Sequence, residues 1–227
     1  MLQKRLSLAL TLSTLVIGAI FFVVLPQKAS AAFNPGYIVS DFEYFNTRAL
    51  SAKGIQLFLN SQSGALKNLS FTTPNGTKSA AQIIYDAAAA NKMSAKVILT
   101  TLQKEQSLIT NAGRATNYVL DRAMGYGCPD GASCSSEYFG FYNQVTKGAR
   151  LLGDDPTWGR SSRYKVGETY AFDYSNDGVN YQNVTIANEA TGLLYQYTPH
   201  RHGNEAFYNL WTQWFQVKYP DGTLLRA

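Results

Sequence analysis

The centre of the fold is encoded by Ser94-Ala-Lys-Val-Ile-Leu-Thr-Thr-Leu-Gln-Lys-Glu-Gln-Ser-Leu-Ile109, whose spacing predicts one amphipathic helix. Ser94 is a favourable N-cap residue, and apolar side chains recur at intervals of three or four along the stretch. Glu105 follows Leu102 by three residues and precedes Ile109 by four, so its carboxylate projects from the apolar stripe. We therefore expect a partly buried glutamate on a central helix.

A partly buried carboxyl group is a candidate for acid–base chemistry. Removal from water disfavours the ionised form, which helps a general acid to hold its proton near neutral pH. The alternative is a structural role, in which Glu105 lies at the edge of the stripe and pairs with a lysine or an arginine. Periodicity alone leaves both interpretations open.

The N-terminus has the pattern of an export signal. Two basic residues precede an uncharged run from Leu6 to Leu25, and the small residues Ala29-Ser-Ala31 predict cleavage just before Ala32. The run is also long enough to cross a hydrocarbon layer of about 30 Å, so an uncleaved membrane anchor is the alternative. We expect residues 1–31 to be a signal peptide or an N-terminal membrane anchor of an exported protein.

The formal net charge of +5 overstates the basicity of the exported part. Lys4, Arg5 and Lys28 lie in the N-terminal segment, and without these three of the 20 basic residues there remain 17 against 15 acidic ones, a net charge of +2. The basic residues are scattered, so no nucleic-acid partner is expected. Residues 32–227 suffice for one domain with a substantial core.

Cys128 and Cys134 are the only cysteines, and an exported chain favours a disulfide between them. A bridge that closes so short a loop chiefly determines the local shape of that loop. The competing idea is a zinc site that adds His200 and His202, but the spacing matches no common zinc pattern. We expect no metal and no cofactor.

The rest of the pattern is mostly helical. Alternating residues over about 164–186, with a turn at Ser175-Asn-Asp-Gly178, predict a β-hairpin inserted in a helical domain. The polar stretch 61–78 is expected to be a surface loop. The other predicted helices cover residues 51–60, 79–90, 137–152, 188–197 and 204–217.

Three parts of the chain together resemble the lysozyme-like superfamily, and more narrowly its exported peptidoglycan-cleaving members. These parts are Leu102–Ile109, the pair Gly125–Asp130 and Tyr138–Gln144, and Ala190–Pro199. The resemblance implies a mainly α (α+β) lysozyme-like domain over residues 32–227. It also implies peptidoglycan glycan strands as the partner, and an extracellular or cell-wall location.

The resemblance implies that Glu105 protonates the glycosidic oxygen between N-acetylmuramic acid and N-acetylglucosamine. A direct hydrolase usually adds a second carboxylate, for which Asp121, Asp130 and Glu137 are candidates. The transglycosylases of this superfamily need one glutamate and release an anhydro sugar. The alternatives are an N-acetylglucosaminidase of the same fold, and a non-catalytic cell-wall glycan-binding or scaffolding module.

Several residues are candidates for contacting the sugar. A tyrosine offers an apolar face for stacking on a pyranose together with a hydroxyl group, and we expect Tyr126 and Tyr197 in the cleft. Tyr142 is a further candidate of the same kind, and Ser107 corresponds to the serine that follows the glutamate in the resembled motif. The amide of Gln144 is suited to an acetamido group, with a structural role as the alternative.

Overall fold

The computed structural model describes residues 32–129, 131–153, 163–175 and 177–216. The predicted signal peptide or anchor at residues 1–31 and the candidate carboxylate Asp130 lie outside this part of the chain. Among the residues described, none of the helices has the length and apolar character needed to cross a membrane.

The described chain is a mixed structure of helices and two small antiparallel hairpins, which agrees with the predicted α+β class. Three short 3-10 turns connect these elements, at Ala65–Asn68, Ala112–Arg114 and Ser136–Tyr138. The helices are α1 (Asp41–Tyr44), α2 (Ala52–Asn60), α3 (Ala80–Ala90), α4 (Ala95–Gln106), α5 (Asn117–Leu120), α6 (Phe141–Leu152), α7 (Glu189–Tyr197) and α8 (Arg201–Phe215). The strands are β1 (Ser70–Thr73), β2 (Gly76–Ser79), β3 (Thr169–Asp173) and β4 (Tyr181–Thr185).

The predicted central helix is α4. It begins where the Ser94 hydroxyl accepts a hydrogen bond from the Lys96 amide, as expected of an N-cap. Ile98 and Leu102 on its apolar stripe are fully buried. The helix packs against α3 and α8, and α3 in turn packs against α2 and α6. The stripe that the sequence predicted therefore faces the core of the protein.

The predicted end of this helix at Ile109 is wrong. The helix ends at Gln106, and Ser107 adopts a left-handed conformation with φ 56° and ψ 27°. A left-handed residue reverses the chain at a helix end, and apolar residues that follow it often pack back on the helix. Leu108 and Ile109 are buried in this way, so their apolar character reflects tertiary packing and not another helical turn.

The predicted surface loop at residues 61–78 is also incorrect, because its second half, from Ser70 onward, belongs to the β1–β2 hairpin. Ser70 pairs with Ser79 and Thr73 with Gly76, across a turn that contains Asn75. Asn-Gly is a strong hairpin signal, but the polar residues around it concealed the strands. The ring of Phe71 stacks on Phe141 of α6 with centroids 4.4 Å apart, and this contact ties the hairpin to the helical core.

The second predicted hairpin is confirmed as β3–β4, with Phe172 paired to Gln182. Phe172 of β3 and Val184 of β4 are the buried side chains of this hairpin that face the protein core. The ring of Phe172 stacks on Tyr195 of α7, with centroids 3.8 Å apart. The hairpin is thereby fastened to the helical part of the fold.

Two helix starts differ from the prediction. The helix expected from residue 137 begins only at Phe141, because Gly140 has φ 93° and interrupts the chain after the turn Ser136–Tyr138. The last helix begins at Arg201, three residues before the expected start. Pro199 lies between the two helices. It prevents α7 from continuing and does not interrupt α8, which begins two residues later.

Candidate functional site

Glu105 lies in the last turn of α4, and 26% of its side chain is exposed. Its Oε2 atom faces the backbone of Gly125, where a Cβ atom would lie 3.4 Å away. Gly125 also has φ 71°, a conformation that suits glycine. The carboxylate thus lies between the end of the central helix and the loop around residue 125, partly open to solvent.

The carboxylate of Glu105 is paired with Lys104. Lys104 Nζ lies 2.5 Å from Glu105 Oε1 and donates a hydrogen bond of 2.8 Å to the Thr198 hydroxyl. Only 10% of the lysine side chain is exposed, and its ammonium lies 5.9 Å from the centre of the Tyr197 ring. The structural alternative predicted from the sequence, an ion pair between Glu105 and a basic residue, is therefore present. The side chain of Glu105 is also partly exposed to solvent, as catalysis requires.

Tyr197 connects this ion pair to the loop. Its hydroxyl donates a hydrogen bond to the Met124 carbonyl oxygen. Burial raises the pKa of the Tyr197 hydroxyl well above its usual value, and the negative charge of Glu105 raises the pKa further. The hydroxyl therefore stays protonated and keeps its donor role, while the half-buried ring lies beside Lys104.

Gln144 holds the loop from within the core. Its side-chain oxygen accepts hydrogen bonds from the amides of Met124 (3.2 Å) and Tyr126 (3.1 Å). Its side-chain nitrogen donates to the carbonyl oxygens of Tyr126 and Tyr138, both at 2.9 Å. The residue is fully buried. These four bonds use both hydrogens of the amide and both lone pairs of its oxygen.

The predicted substrate contact of Gln144 is corrected by this geometry. A buried amide with four partners in its own chain has no group left for an acetamido ligand. Gln144 instead determines the path of the loop that faces Glu105. This is the structural alternative that the sequence had left open.

Tyr126 packs edge-on against Tyr138, with ring centroids 4.9 Å apart. Gly127 lies beside the same Tyr138 ring, which a Cβ atom at residue 127 would overlap. The Ser135 amide donates to the Gly127 carbonyl oxygen, and the predicted Cys128–Cys134 disulfide is confirmed next to it. Because the two cysteines are bonded to each other, they offer no thiolates to the alternative zinc site.

Two of the candidate second carboxylates can be placed. Glu137 is exposed in the turn before α6, and its negative charge is the main cause that raises the pKa of the Tyr138 hydroxyl. Asp121 is the C-cap residue of α5. Both lie close in the chain to the residues that face Glu105, since Asp121 is four residues before Gly125 and Glu137 directly precedes Tyr138.

The other predicted contacts separate into two places. Ser107 is two residues beyond Glu105, in the left-handed conformation that ends the helix. Tyr142 lines a different cavity, of about 390 Å³, between β1 and the start of α6. Glu105 and Ser107 thus lie at the end of α4, Tyr126 lies in the loop that faces this helix end, and Tyr197 contacts that loop through Met124. Tyr142 lies apart from them, at the cavity beside β1.

Sequence reasoning missed Lys104 and Thr198. Adjacent residues on a helix normally point in different directions, so Lys104 was not an obvious partner for Glu105. Thr198 is 94 residues away and follows the last residue of α7. The only signal in the sequence was that a lysine directly precedes the candidate acid.

Chemically, the site combines one carboxylate, one ammonium, a tyrosine hydroxyl that keeps its proton and a glycine-rich loop. A carboxyl group at a partly exposed helix end can exchange a proton with a ligand, while the loop backbone is held in place from behind. Comparisons with protein-family models, with curated proteins and with solved structures found no match to this chain.

Proposed function

We propose that this protein cleaves the glycan strand of peptidoglycan between N-acetylmuramic acid and N-acetylglucosamine, with Glu105 as the general acid. The observation that carries the proposal is the placement of its carboxyl group. The carboxyl group is partly exposed at the end of a buried helix. It faces the loop at Gly125, where the absence of a side chain lets the backbone approach the carboxylate closely. The lysozyme-like resemblance of the motifs around Glu105 and this loop supplies the substrate class.

In the proposed reaction the carboxylic acid of Glu105 donates its proton to the oxygen that links the two sugars. The bond from that oxygen to C1 of the muramic acid breaks, and positive charge develops on the ring. The 6-hydroxyl oxygen of the same muramic acid then bonds to C1, and its proton passes to the Glu105 carboxylate. One glutamate serves first as acid and then as base, and the product is a 1,6-anhydro sugar.

Hydrolysis is the variant of this function that needs a second carboxylate. Asp121 and Glu137 are the described candidates for that role. In that case water would replace the 6-hydroxyl group as the nucleophile, and the product would carry a reducing end.

Mass spectrometry of fragments released from purified peptidoglycan tests the proposal. Anhydro-muramic ends indicate the single-glutamate route, and reducing muramic ends indicate hydrolysis. Reducing glucosamine ends would indicate that the activity is that of an N-acetylglucosaminidase. If the purified full chain releases no fragments, the proposed cleavage is contradicted.

One observation favours the second candidate function, a non-catalytic glycan-binding module. The Glu105 carboxylate already has an ion-pair partner within the chain, because Lys104 Nζ lies 2.5 Å from its Oε1 atom, and such a pair can be purely structural. A binding module would retain the protein on peptidoglycan sacculi in a pull-down without releasing soluble sugar. The fragment analysis separates the two candidates.

The Lys104→Met variant tests whether the ion pair positions the carboxylate. Methionine removes the ammonium that contacts both Glu105 Oε1 and the Thr198 hydroxyl. We expect the rate of peptidoglycan cleavage to fall about tenfold, because the carboxylate is no longer held in one position. Lys53→Met on the exposed side of α2 is the matched control and should leave the rate unchanged. A Lys104→Met variant as active as the unmodified chain would show that the ion pair does not position Glu105.

The proposed location is outside the cytoplasm, at the cell wall. The Cys128–Cys134 disulfide indicates an oxidising compartment, which agrees with an exported protein. Export itself, and attachment through residues 1–31, are proposals that depend on the sequence pattern of that segment.

A further inference from the structure

The guanidinium group of Arg122 packs against two aromatic rings. Arg122 lies two residues beyond α5, and its Cζ atom is 4.0 Å from the centre of the Tyr118 ring and 4.5 Å from the centre of the Phe139 ring. The faces of aromatic rings attract a guanidinium and reduce its freedom to move. Arg122 is half-buried and 69% of Tyr118 is exposed, so the cation is held in place at the surface.

Most of the hydrogen-bonding capacity of Arg122 is unused. Nη1 donates one hydrogen bond of 3.0 Å to the Tyr118 carbonyl oxygen, and a guanidinium has five N–H groups. Within the described part of the chain the side chain makes no other hydrogen bond, and no carboxylate lies within ion-pair distance of it. Asp121 directly precedes it, but does not form such a pair. Arg122 therefore keeps its positive charge and several donors for a ligand.

A backbone hydrogen bond joins Arg122 to the loop that faces Glu105. The Gly125 amide donates to the Arg122 carbonyl oxygen at 2.9 Å. The Oε2 atom of Glu105 faces the same glycine, 3.4 Å from the position of a Cβ atom there. Arg122 and Glu105 thus have Gly125 as a common neighbour, through two different contacts.

The second ring is joined to the same loop by tertiary contacts. The buried Gln144 side chain donates to the carbonyl oxygens of both Tyr126 and Tyr138, and the rings of these two tyrosines contact each other. Phe139 directly follows Tyr138. Both segments that contact the guanidinium are therefore bonded to the loop beside the candidate acid, and the cation is held at one end of this loop.

A carboxylate is the ligand group that suits this arrangement. Rings that contact the face of a guanidinium leave its N–H groups available, because these bonds lie in the plane of the group. A carboxylate in the same plane accepts two parallel hydrogen bonds from them. Neutral sugar hydroxyl groups lack the charge that would complement the cation, so the site distinguishes an acidic ligand from a neutral one.

Peptidoglycan carries its carboxylates on one kind of sugar. The N-acetylglucosamine units are uncharged, whereas the lactyl arm of muramic acid ends in a carboxyl group. That group is either free or joined by an amide bond to a stem peptide that has carboxylates of its own. We propose that Arg122 binds a carboxylate on this arm, and so selects muramic acid over an uncharged sugar. The identity of the ligand rests on the proposed function.

Three disaccharides test the proposal by isothermal titration calorimetry on the full chain. They are N-acetylglucosaminyl-N-acetylmuramic acid with a stem peptide, the same disaccharide without the peptide, and diacetylchitobiose, which has no carboxylate. None contains the linkage that we propose is cut, so binding is measured without turnover. The unmodified chain should bind the peptide-bearing disaccharide more tightly than diacetylchitobiose. Arg122→Gln should weaken the first of these two affinities about tenfold and leave the second unchanged.

Two further variants complete the test. Arg48→Gln, at an exposed arginine between α1 and α2, is the matched control and should bind all three disaccharides as the unmodified chain does. Tyr118→Ala removes an exposed ring and keeps the charge, so the fold is retained and binding of the peptide-bearing disaccharide should weaken about threefold. A loss confined to the disaccharide without the peptide would assign the contact to the lactyl carboxylate itself.

Unchanged affinity of Arg122→Gln for both acidic disaccharides would overturn the proposal. An equal loss for diacetylchitobiose would do so too, as would an unmodified chain that prefers neither acidic disaccharide to it. The failure of the proposed function is seen separately, as the absence of fragments released from peptidoglycan. If binding depends on Arg122 but nothing is cleaved, the carboxylate site stands and the catalytic proposal fails. If cleavage occurs while Arg122→Gln binds normally, the reverse holds.

Discussion

The Glu105→Gln variant is expected to lose cleavage of purified peptidoglycan by roughly 10²- to 10⁴-fold in kcat. Glutamine keeps the length of the side chain and one oxygen acceptor, but it has no carboxylic proton to give to the glycosidic oxygen. The measurement is the rate of release of soluble muropeptides at saturating substrate. A Glu105→Asp variant, which keeps the proton but withdraws it by one methylene, should retain more activity than Glu105→Gln.

The controls for this result address folding. Glu105→Gln leaves the Lys104 ammonium without its carboxylate partner, so the thermal unfolding temperature of the variant must be compared with that of the unmodified chain. Glu205→Gln, in α8, removes a carboxylate outside the proposed site and should retain full activity. Normal turnover by a folded Glu105→Gln variant would refute the proposed role of Glu105.

The second large effect is expected from Gln144→Leu. Leucine removes four hydrogen bonds at once and leaves buried and part-buried amide and carbonyl groups of the loop without these partners. Each unsatisfied buried group costs about 1–3 kcal/mol, and we expect a total loss of roughly 3–5 kcal/mol in the free energy of unfolding, since part of the loop can regain water. Urea denaturation measures this loss.

Gln213→Leu on the exposed side of α8 is the matched control, and its free energy of unfolding should change by no more than about 0.5 kcal/mol. Because Gln144 positions the loop that faces Glu105, cleavage should fall in Gln144→Leu even at temperatures where the variant is folded. A variant as stable as the unmodified chain would show that the four bonds contribute little.

Local signals predicted four of the helix starts in the described part of the chain. Ser51, Ser79, Ser94 and Asn188 each cap a helix, and in each case the side-chain oxygen accepts a backbone amide near the start. An N-cap depends on groups within three residues of each other, so the sequence carries the full information. The end of α4 was harder to predict, because Ser107 is not a residue typical of the left-handed conformation that ends the helix.

The β1–β2 hairpin shows the limit of pattern reasoning. Asn75-Gly76 at the junction of its turn and β2 is a local signal, yet its strands alternate too weakly to be recognised. What holds the hairpin in place is the contact of Phe71 with Phe141, 70 residues along the chain. This contact forms only when the folded chain has brought α6 next to the hairpin.

The candidate site was likewise predictable from the sequence only in part. Periodicity along one helix was enough to place Glu105 on the same face as Leu102 and Ile98, because the direction of a side chain from a helix depends only on helical geometry. Periodicity did not identify its ion-pair partner. Lys104 is turned toward the carboxylate by contacts with Thr198 and Tyr197, which the end of α7 brings to the helix.

The sequence by itself determined the N-terminal caps of four helices, the disulfide pair and the unusual position of one glutamate, since each depends on residues close together in the chain. Only the tertiary structure decided what surrounds that glutamate. Gln144 became an internal support and not a ligand contact, because its four partners come from two separate loop segments. Hydrogen bonds and packing between distant segments are properties of the folded chain, and no local pattern encodes them.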